Sequence, residues 1–351
     1  MAETKVIIDC DAGIDDALAL IILIAAHKQK KIQIEAITCV NGNTTVDNVV
    51  KNVFRTLHVC KATDIPVYQG AYAPLLCIKN AVQDHYHGID GFGDAYNTQI
   101  DTSKLEHEHA AYALNKIVSK YPNEVNILCI GPLTNIALAI KMYPQFVNHV
   151  KEFYIMGGNT TGDIYSLYLF LLIILLKSFS YFYLPSLYTL AQGNITPQAE
   201  FNFYMDPESV HIVFNNNKNP LKLLPWETCL KSCISHEWRR DILGKMDKPC
   251  IQLMNDIEYA YQKTRKRQFP NYITCDAILA AILLKPEIAQ NVVPYHADIE
   301  LNGTRTRGQV VLDHLLSNEP NVLLIQNFDS ESFKKLLIFS VDNLDYNMTN
   351  I

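Results

Sequence analysis

Short, nearly continuous apolar runs alternate with longer helix-like segments along the first half of this chain. That alternation limits the fold more than any other feature. The runs are "KVIIDCD" (5–11), "IQIEAITCV" (32–40), "IPVYQG" (65–70), "VNILCIG" (125–131) and "VKEFYIMGG" (150–158). Between them lie "DDALALIILIAAHKQ", "VDNVVKNVFRTLHVC", "EHAAYALNKIVSKYP" and "PLTNIALAIKMYP", each long enough for a helix. A strand apolar on successive residues is buried on both faces, and strands joined through helices run parallel. The pattern predicts an α/β fold: a mostly parallel central sheet, Rossmann-like and open, with helices on both faces. No internal repeat or low-complexity linker divides the chain, so one domain over 1–342 with a tail at 343–351 is expected.

In open sheets of this kind ligands sit beyond the C-terminal ends of the strands. "DCDAGIDD" (9–16), "NGN" (41–43), "IGPLTN" (130–135) and "MGGN" (156–159) all fall there. The first crowds Asp9, Asp11, Asp15 and Asp16 into one strand-to-helix junction, with Gly13 to allow the tight turn. Carboxylates this close repel and raise one another's pKa values. A helix start supplies partial positive charge, and N-capping accounts for one or two Asp there. Four exceed that role. A hard divalent cation with oxygen ligands, Mg²⁺ or Ca²⁺, would answer the repulsion.

Composition narrows the partners. The formal net charge is -6, and the only basic cluster, "KTRKRQ" (263–268), is short. A nucleic-acid partner is therefore not expected, since phosphate contacts need a clustered basic face. Nine Cys, an odd number without a CxxC pair or a zinc pattern, read as reduced thiols of a cytosolic protein. The first residues, "MAETKVIIDC", lack the basic and apolar regions of a signal peptide, so a cytoplasmic setting is expected.

The spacing D-x-D-x-G-x-D-D, taken with "TCVNGNTT", "HGIDGFG", "IGPLTNIALA", "IMGGN", "GNITPQAEFNFYMDPE" and "CDAILA" in that order, resembles the inosine–uridine-preferring nucleoside hydrolases. The resemblance spans nearly the whole chain. It implies hydrolysis of the N-glycosidic bond of ribonucleosides, a bound Ca²⁺, and assembly as a homodimer or homotetramer. By match, Asp11, Asp16 and Asp276 would give carboxylate ligands and Ile130 a backbone carbonyl. Asp15 would be the general base acting on water. Asn43, Asn194, Glu200 and Asn202 would grip ribose, with Met156 under the sugar and His87 on a loop over the pocket. Tyr259 and Tyr261 lie roughly where the family has aromatic groups near the base. The chemistry suits these residue types, because positive charge develops on the sugar as the bond breaks and nearby carboxylates stabilise it. Taken singly, each has a plainer reading: Asn43 as a turn residue, Glu200 as a surface charge, Met156 as core, His87 as an exposed loop residue and the Tyr pair as core.

Two departures stand out. Many members of that family carry His immediately before the last Asp ligand, linked to protonating the departing base, whereas this chain has Cys275. A neutral thiol is a weaker acid than imidazolium. A subgroup of the family shares this Cys. The second departure is "DIYSLYLFLLIILLKSFSYFYLPSLYTLAQ" (163–192), almost wholly apolar, where the family runs directly from "MGGN" to "GN-x-T". It has neither helix nor strand periodicity; its apolar run before Lys177 is short of the ~20 residues of a membrane span, and counting through Lys177 brings it into that range. A membrane anchor within a pocket loop is the least expected outcome. The flanking "NTTG" and "GNITP" join into family sequence once it is removed, so it reads as translated intron or a gene-model error.

Two further functions stay open on the sequence alone. One is a Mg²⁺ phosphatase like the haloacid dehalogenases, whose D-x-D continues with Thr or Val where this chain has Gly13. The other is a catalytically impaired, nucleoside-binding form disabled by the insertion. Sequencing the mature transcript tests the intron reading: a message that always carries codons 163–192, with no shorter form, overturns it.

Overall fold

In a computed structural model of the chain, residues 3–76, 86–160, 193–264 and 269–344 are described, the side chains of 261–264 excepted. The apolar block at 163–192 lies outside them. The elements in order are β1 (Thr4–Cys10), α1 (Ile14–Lys28), β2 (Ile32–Cys39), α2 (Val46–Val59), β3 (Val67–Gln69), β4 (Leu105–Glu106), α3 (Ala110–Lys120), β5 (Val125–Cys129), α4 (Thr134–Met142), α5 (Phe146–His149) and β6 (Val150–Met156). The second half adds α6 (Phe201–Met205), α7 (Pro207–Asn215), β7 (Leu221–Leu224), α8 (Trp226–Cys229), α9 (His236–Asp241), α10 (Pro249–Thr264), α11 (Cys275–Leu284), β8 (Ala289–Tyr295), β9 (Ala297–Ile299), β10 (Val310–Leu312), β11 (Val322–Phe328) and α12 (Ser330–Asp342).

Among the described residues one nine-stranded sheet runs β4-β3-β2-β1-β5-β6-β7-β11-β8. All its pairings are parallel except β11 with β8. The pleat explains why the strands read as unbroken apolar runs. Along β1, Val6, Ile8 and Cys10 enter the core on one face, while Ile7 enters the core on the other. Along β6, Tyr154 and Met156 join the first core and Phe153 and Ile155 the second. Side chains alternate across a strand, so a sheet covered on both sides needs apolar groups at every position.

Helix α1 is apolar nearly all round because it lies inside the first core, packed against α11, β2 and α12. Its partner α11, "CDAILAAILL", is buried from Cys275 to Leu283. The expected mostly parallel, single-domain α/β fold is thus present. The sequence pattern is silent about β7 to β11, which are shorter or more exposed. The edge strand β8 is largely solvent-facing and carries Pro294, which suits an antiparallel edge. The small antiparallel pair β9–β10 stands apart from the main sheet. Among the described residues no helix is long and apolar enough to cross a membrane.

The packing predicts where stability resides. Leu20 on α1 is fully buried, so Leu20→Ala should cost about 2–5 kcal/mol by denaturant unfolding. Leu315, 88% exposed, should change stability by no more than about 0.5 kcal/mol on the same truncation. Equal costs at the two positions would contradict the core assignment.

Candidate active site

Strands β1, β2, β5 and β6 end side by side, and the chemically informative clusters meet beyond those ends. The chain leaves β1 at Cys10 and enters α1 at Ile14. Asp16, in the first turn of α1, reaches back over this junction. Its Oδ2 accepts the Gly13 N–H at 2.8 Å and its Oδ1 accepts the Asp11 N–H at 3.3 Å. The Gly13 bond satisfies a backbone donor that the helix start leaves without a partner, and the Asp11 bond ties the preceding turn to it. The capping reading and the ligand reading therefore apply to the same carboxylate.

Asp11 points the same way. Its Oδ2 accepts the Asn43 N–H at 2.7 Å, while its Oδ1 is buried with no hydrogen-bond partner. Gly42 makes that contact possible: a Cβ there would stand 2.1 Å from Asp11 Oδ2. Asn43 also sends its side-chain amide to Asp16 Oδ2 at 3.4 Å, so it is more than a turn residue. From the far end of the chain, α11 begins beside this group and brings Asp276. Oxygens of Asp15, Asp16 and Asp276 lie within 4.8 Å of one another.

Burial dominates the electrostatics. It raises the Asp11 carboxyl well above the usual carboxylate range, with the Asp16 charge adding to it. It pushes Asp16 up to about 7, again with help from a neighbour, Asp15. Asp276 is raised by burial first and then by Asp15, Asp16 and Asp11. Among the described residues no Lys or Arg pairs with this group. A hard divalent cation fits the arrangement: the donors are oxygens, one buried oxygen has no partner, and ligands at 2.3–2.6 Å from Ca²⁺ stand no more than ~5 Å apart.

The Ile130 carbonyl faces the same region and accepts the Asn202 side-chain amide at 3.3 Å. That amide also reaches the Met156 carbonyl at 3.2 Å and the Met156 sulfur at 3.6 Å. Met156 is in the first core, 4% exposed, so its plainer reading holds alongside the site reading. Glu200 is no surface charge. It is 2% exposed and N-caps α6, accepting N–H groups from Asn202 at 2.9 Å and Gly158 at 2.7 Å. Burial raises its carboxyl to about 7 against those hydrogen bonds. Asn194 accepts the Phe201 N–H at 2.7 Å, which ties it to the same short helix.

His87 docks on α1 instead of waving in solvent. Its Nδ1 accepts the Ile14 N–H at 3.1 Å, so in the neutral ring the proton sits on Nε2, 3.8 Å from Asp15 Oδ1. Loop residues beside it are held by Thr44, whose hydroxyl donates to the Ile89 carbonyl, and by Asn52, which donates to the Asp90 carbonyl. Cys275 is buried, and burial together with the adjacent Cys229 thiol pushes its pKa well above the ordinary value. A thiol held that high is a poor proton donor to a departing base. Tyr259 lies on α10 and is 63% exposed, and the Tyr261 side chain falls outside the described residues.

Sequence reasoning passed over Glu227, in α8 just beyond β7. Its carboxylate is buried, and burial raises its pKa to about 8 against backbone N–H groups of Glu227 and Thr160, with the Glu200 charge adding to the rise. Its only signal is an acidic residue inside the apolar "LLPWETC".

A family model described as inosine-uridine preferring nucleoside hydrolase matches residues 6–335. The pyrimidine-specific ribonucleoside hydrolase RihA of Salmonella paratyphi B is 31% identical over 337 residues, 95% of this chain and 96% of that protein. The inosine-uridine preferring nucleoside hydrolase of Leishmania major is 30% identical over 313 residues, 88% of this chain and 87% of that one. Among solved structures, an inosine-guanosine nucleoside hydrolase superposes with a TM-score of 0.79 at 25% identity, covering 96% of this chain and 98% of its own. A plant nucleoside hydrolase superposes with a TM-score of 0.79 at 23% identity, covering 98% and 99%.

The raised carboxyls set a pH dependence. Asp16 and Glu200 near 7, against about 4 in an unfolded chain, bind protons more tightly when folded. The stability they contribute is present below pH ~4 and is lost as pH rises to about 7. Chelator-treated protein should therefore unfold at a lower temperature at about pH 8 than at about pH 5, and added Ca²⁺ should raise the unfolding temperature more at the higher pH. A calcium effect of equal size at both pH values would contradict this.

Proposed function

This chain belongs to the inosine-uridine preferring nucleoside hydrolase family, and on that footing we propose how its site hydrolyses ribonucleosides to ribose and free base. The observation that carries the proposal is the convergence of Asp15, Asp16 and Asp276 within 4.8 Å at the end of the sheet. Asp11, Asp16, Asp276 and the Ile130 carbonyl would hold the cation, which we assign as Ca²⁺. When bound, it would lower the pKa of an attacking water and orient the ribose hydroxyls.

Asp15 takes the proton from that water. It suits the task because, unlike Asp16, it caps no backbone N–H. The ring of His87, fixed by Ile14, presents its Nε2 3.8 Å from the Asp15 carboxylate. As the glycosidic bond breaks, positive charge grows on the sugar, and the surrounding carboxylates stabilise it. Asn43, Asn194, Glu200 and Asn202 position the sugar hydroxyls, with Met156 beneath. Asn202 and Glu200 are already held by backbone groups, so little ordering remains to be done on binding.

The family match sets aside the phosphatase reading. Cys275, with its high pKa and its Cys229 neighbour, supports an auxiliary role and not proton donation. The domain we propose spans 1–342, interrupted at 163–192. A cytoplasmic setting and assembly as a homodimer or homotetramer complete the proposal. Its support is the thiol-rich composition and the family resemblance.

The test is release of free base from inosine and uridine by the full chain. Asp15→Ala should lower kcat by about 10²–10⁴-fold, the usual worth of a positioned base. Cys275→Ser should lose clearly less. Equal losses would contradict the division of roles. Calcium-independent turnover after chelation would overturn the metal assignment.

A further inference from the structure

Asp9, two residues before Asp11 on β1, is fully buried, yet nothing in the reaction described above uses it. Its surroundings are unusual. Its Oδ1 accepts two side-chain donors, the Thr38 hydroxyl at 2.6 Å and the Asn135 amide at 2.8 Å, while its Oδ2 has no partner. Its backbone carbonyl accepts the Ile130 N–H at 2.9 Å. Asp9 therefore grips both ends of the turn from Ile130 to Asn135, one end by main chain and the other by side chain.

Asn135 extends the grip. The same amide donates to the Cys39 carbonyl at 3.0 Å, and its Oδ1 accepts the Ala71 N–H at 2.9 Å. Through Asp9 and Asn135 the ends of β1, β2, β3 and β5 are joined at one point. Two members of the cation site depend on that point. Ile130, whose carbonyl is a ligand in the proposed function, begins the gripped turn. Gly131, the next residue, lies so close to Asp11 that an added Cβ would stand 3.0 Å from the Asp11 nitrogen. A shift of the turn thus moves the Ile130 carbonyl and presses on Asp11 together.

We propose that Asp9 is a positioning residue for the cation site, acting through Asn135 and the Ile130–Asn135 turn. The proposal rests on the reading that these carboxylates hold a divalent cation. Supporting groups of this kind change metal affinity by about 10–100-fold when removed. They do so without touching the metal, because the ligands are no longer held in place beforehand.

The experiment is a calorimetric Ca²⁺ titration of the full chain, at a temperature where circular dichroism finds every variant folded. Asp9→Ala should weaken binding about 10–100-fold. Asp9→Asn should retain most of the affinity, since its amide oxygen still accepts from Thr38 and Asn135. Asn135→Ala, which opens the clamp from the other side, should weaken binding like Asp9→Ala and serves if that variant does not fold. Wild-type affinity in the Ala variants, with only a lower unfolding temperature, overturns the proposal in favour of a purely structural role. Loss in Asp9→Asn as large as in Asp9→Ala overturns the hydrogen-bond clamp. A wild-type chain that binds no divalent cation overturns the cation reading itself, and is told apart by failing before any substitution is made.

Discussion

Mutual repulsion among buried carboxylates is the constraint on which the rest of this structure turns. Asp11, Asp16 and Asp276 are all withdrawn from water, and burial raises each carboxyl, with the Asp16 charge adding at Asp11, Asp15 at Asp16, and Asp15, Asp16 and Asp11 at Asp276. Withdrawing even one ionised carboxylate is costly unless opposite charge or hydrogen bonds compensate. The fold supplies part of that compensation through backbone N–H groups of Asp11, Gly13 and Asn43 and through the start of α1. A divalent cation, as proposed, would supply the remainder, and the Asp11 oxygen without a hydrogen-bond partner is free to face it. Everything around the cluster serves to keep these groups close despite their repulsion.

The sheet does that work by geometry. Parallel strands deliver every C-terminal end to one edge, and helices on both faces make the strands too buried to shift. α1 and α11 pack along each other within the first core, so Asp16 and Asp276, far apart in sequence, begin neighbouring helices at the same level. Both helices place an acidic residue in the first turn, where the helix field favours negative charge. Stability and site assembly are thus produced by the same buried contacts.

How much of this could be read beforehand differs by region. The first six strands were legible, apart from the two-residue β4, because burial on both faces demands continuous apolar sequence. The strands β8 and β10 were not, since an edge strand or a small separate pair faces water and loses that signature. In the site, the acidic cluster and Asn43 announced themselves by crowding beside glycine. The docking of His87 on Ile14 was invisible, because it depends on how a distant loop folds back across 73 positions. Asp9 stands in the cluster without a legible role, as its partners Thr38 and Asn135 come from β2 and from the first turn of α4. Glu227 went unseen because one acidic residue in an apolar run has no local pattern.

The double duty of Asp16 bears on how relatives of this chain should be interpreted. Its carboxylate closes the start of a helix that lies in the middle of the core, quite apart from any chemistry. A descendant that had abandoned catalysis would still be held to that residue by folding alone. Asp15 has no such structural tie: its side chain is a quarter exposed and caps nothing. Retention of Asp16 therefore says little about whether a relative is still an enzyme, whereas loss of Asp15 beside an intact Asp16 would mark a scaffold that has outlived its reaction.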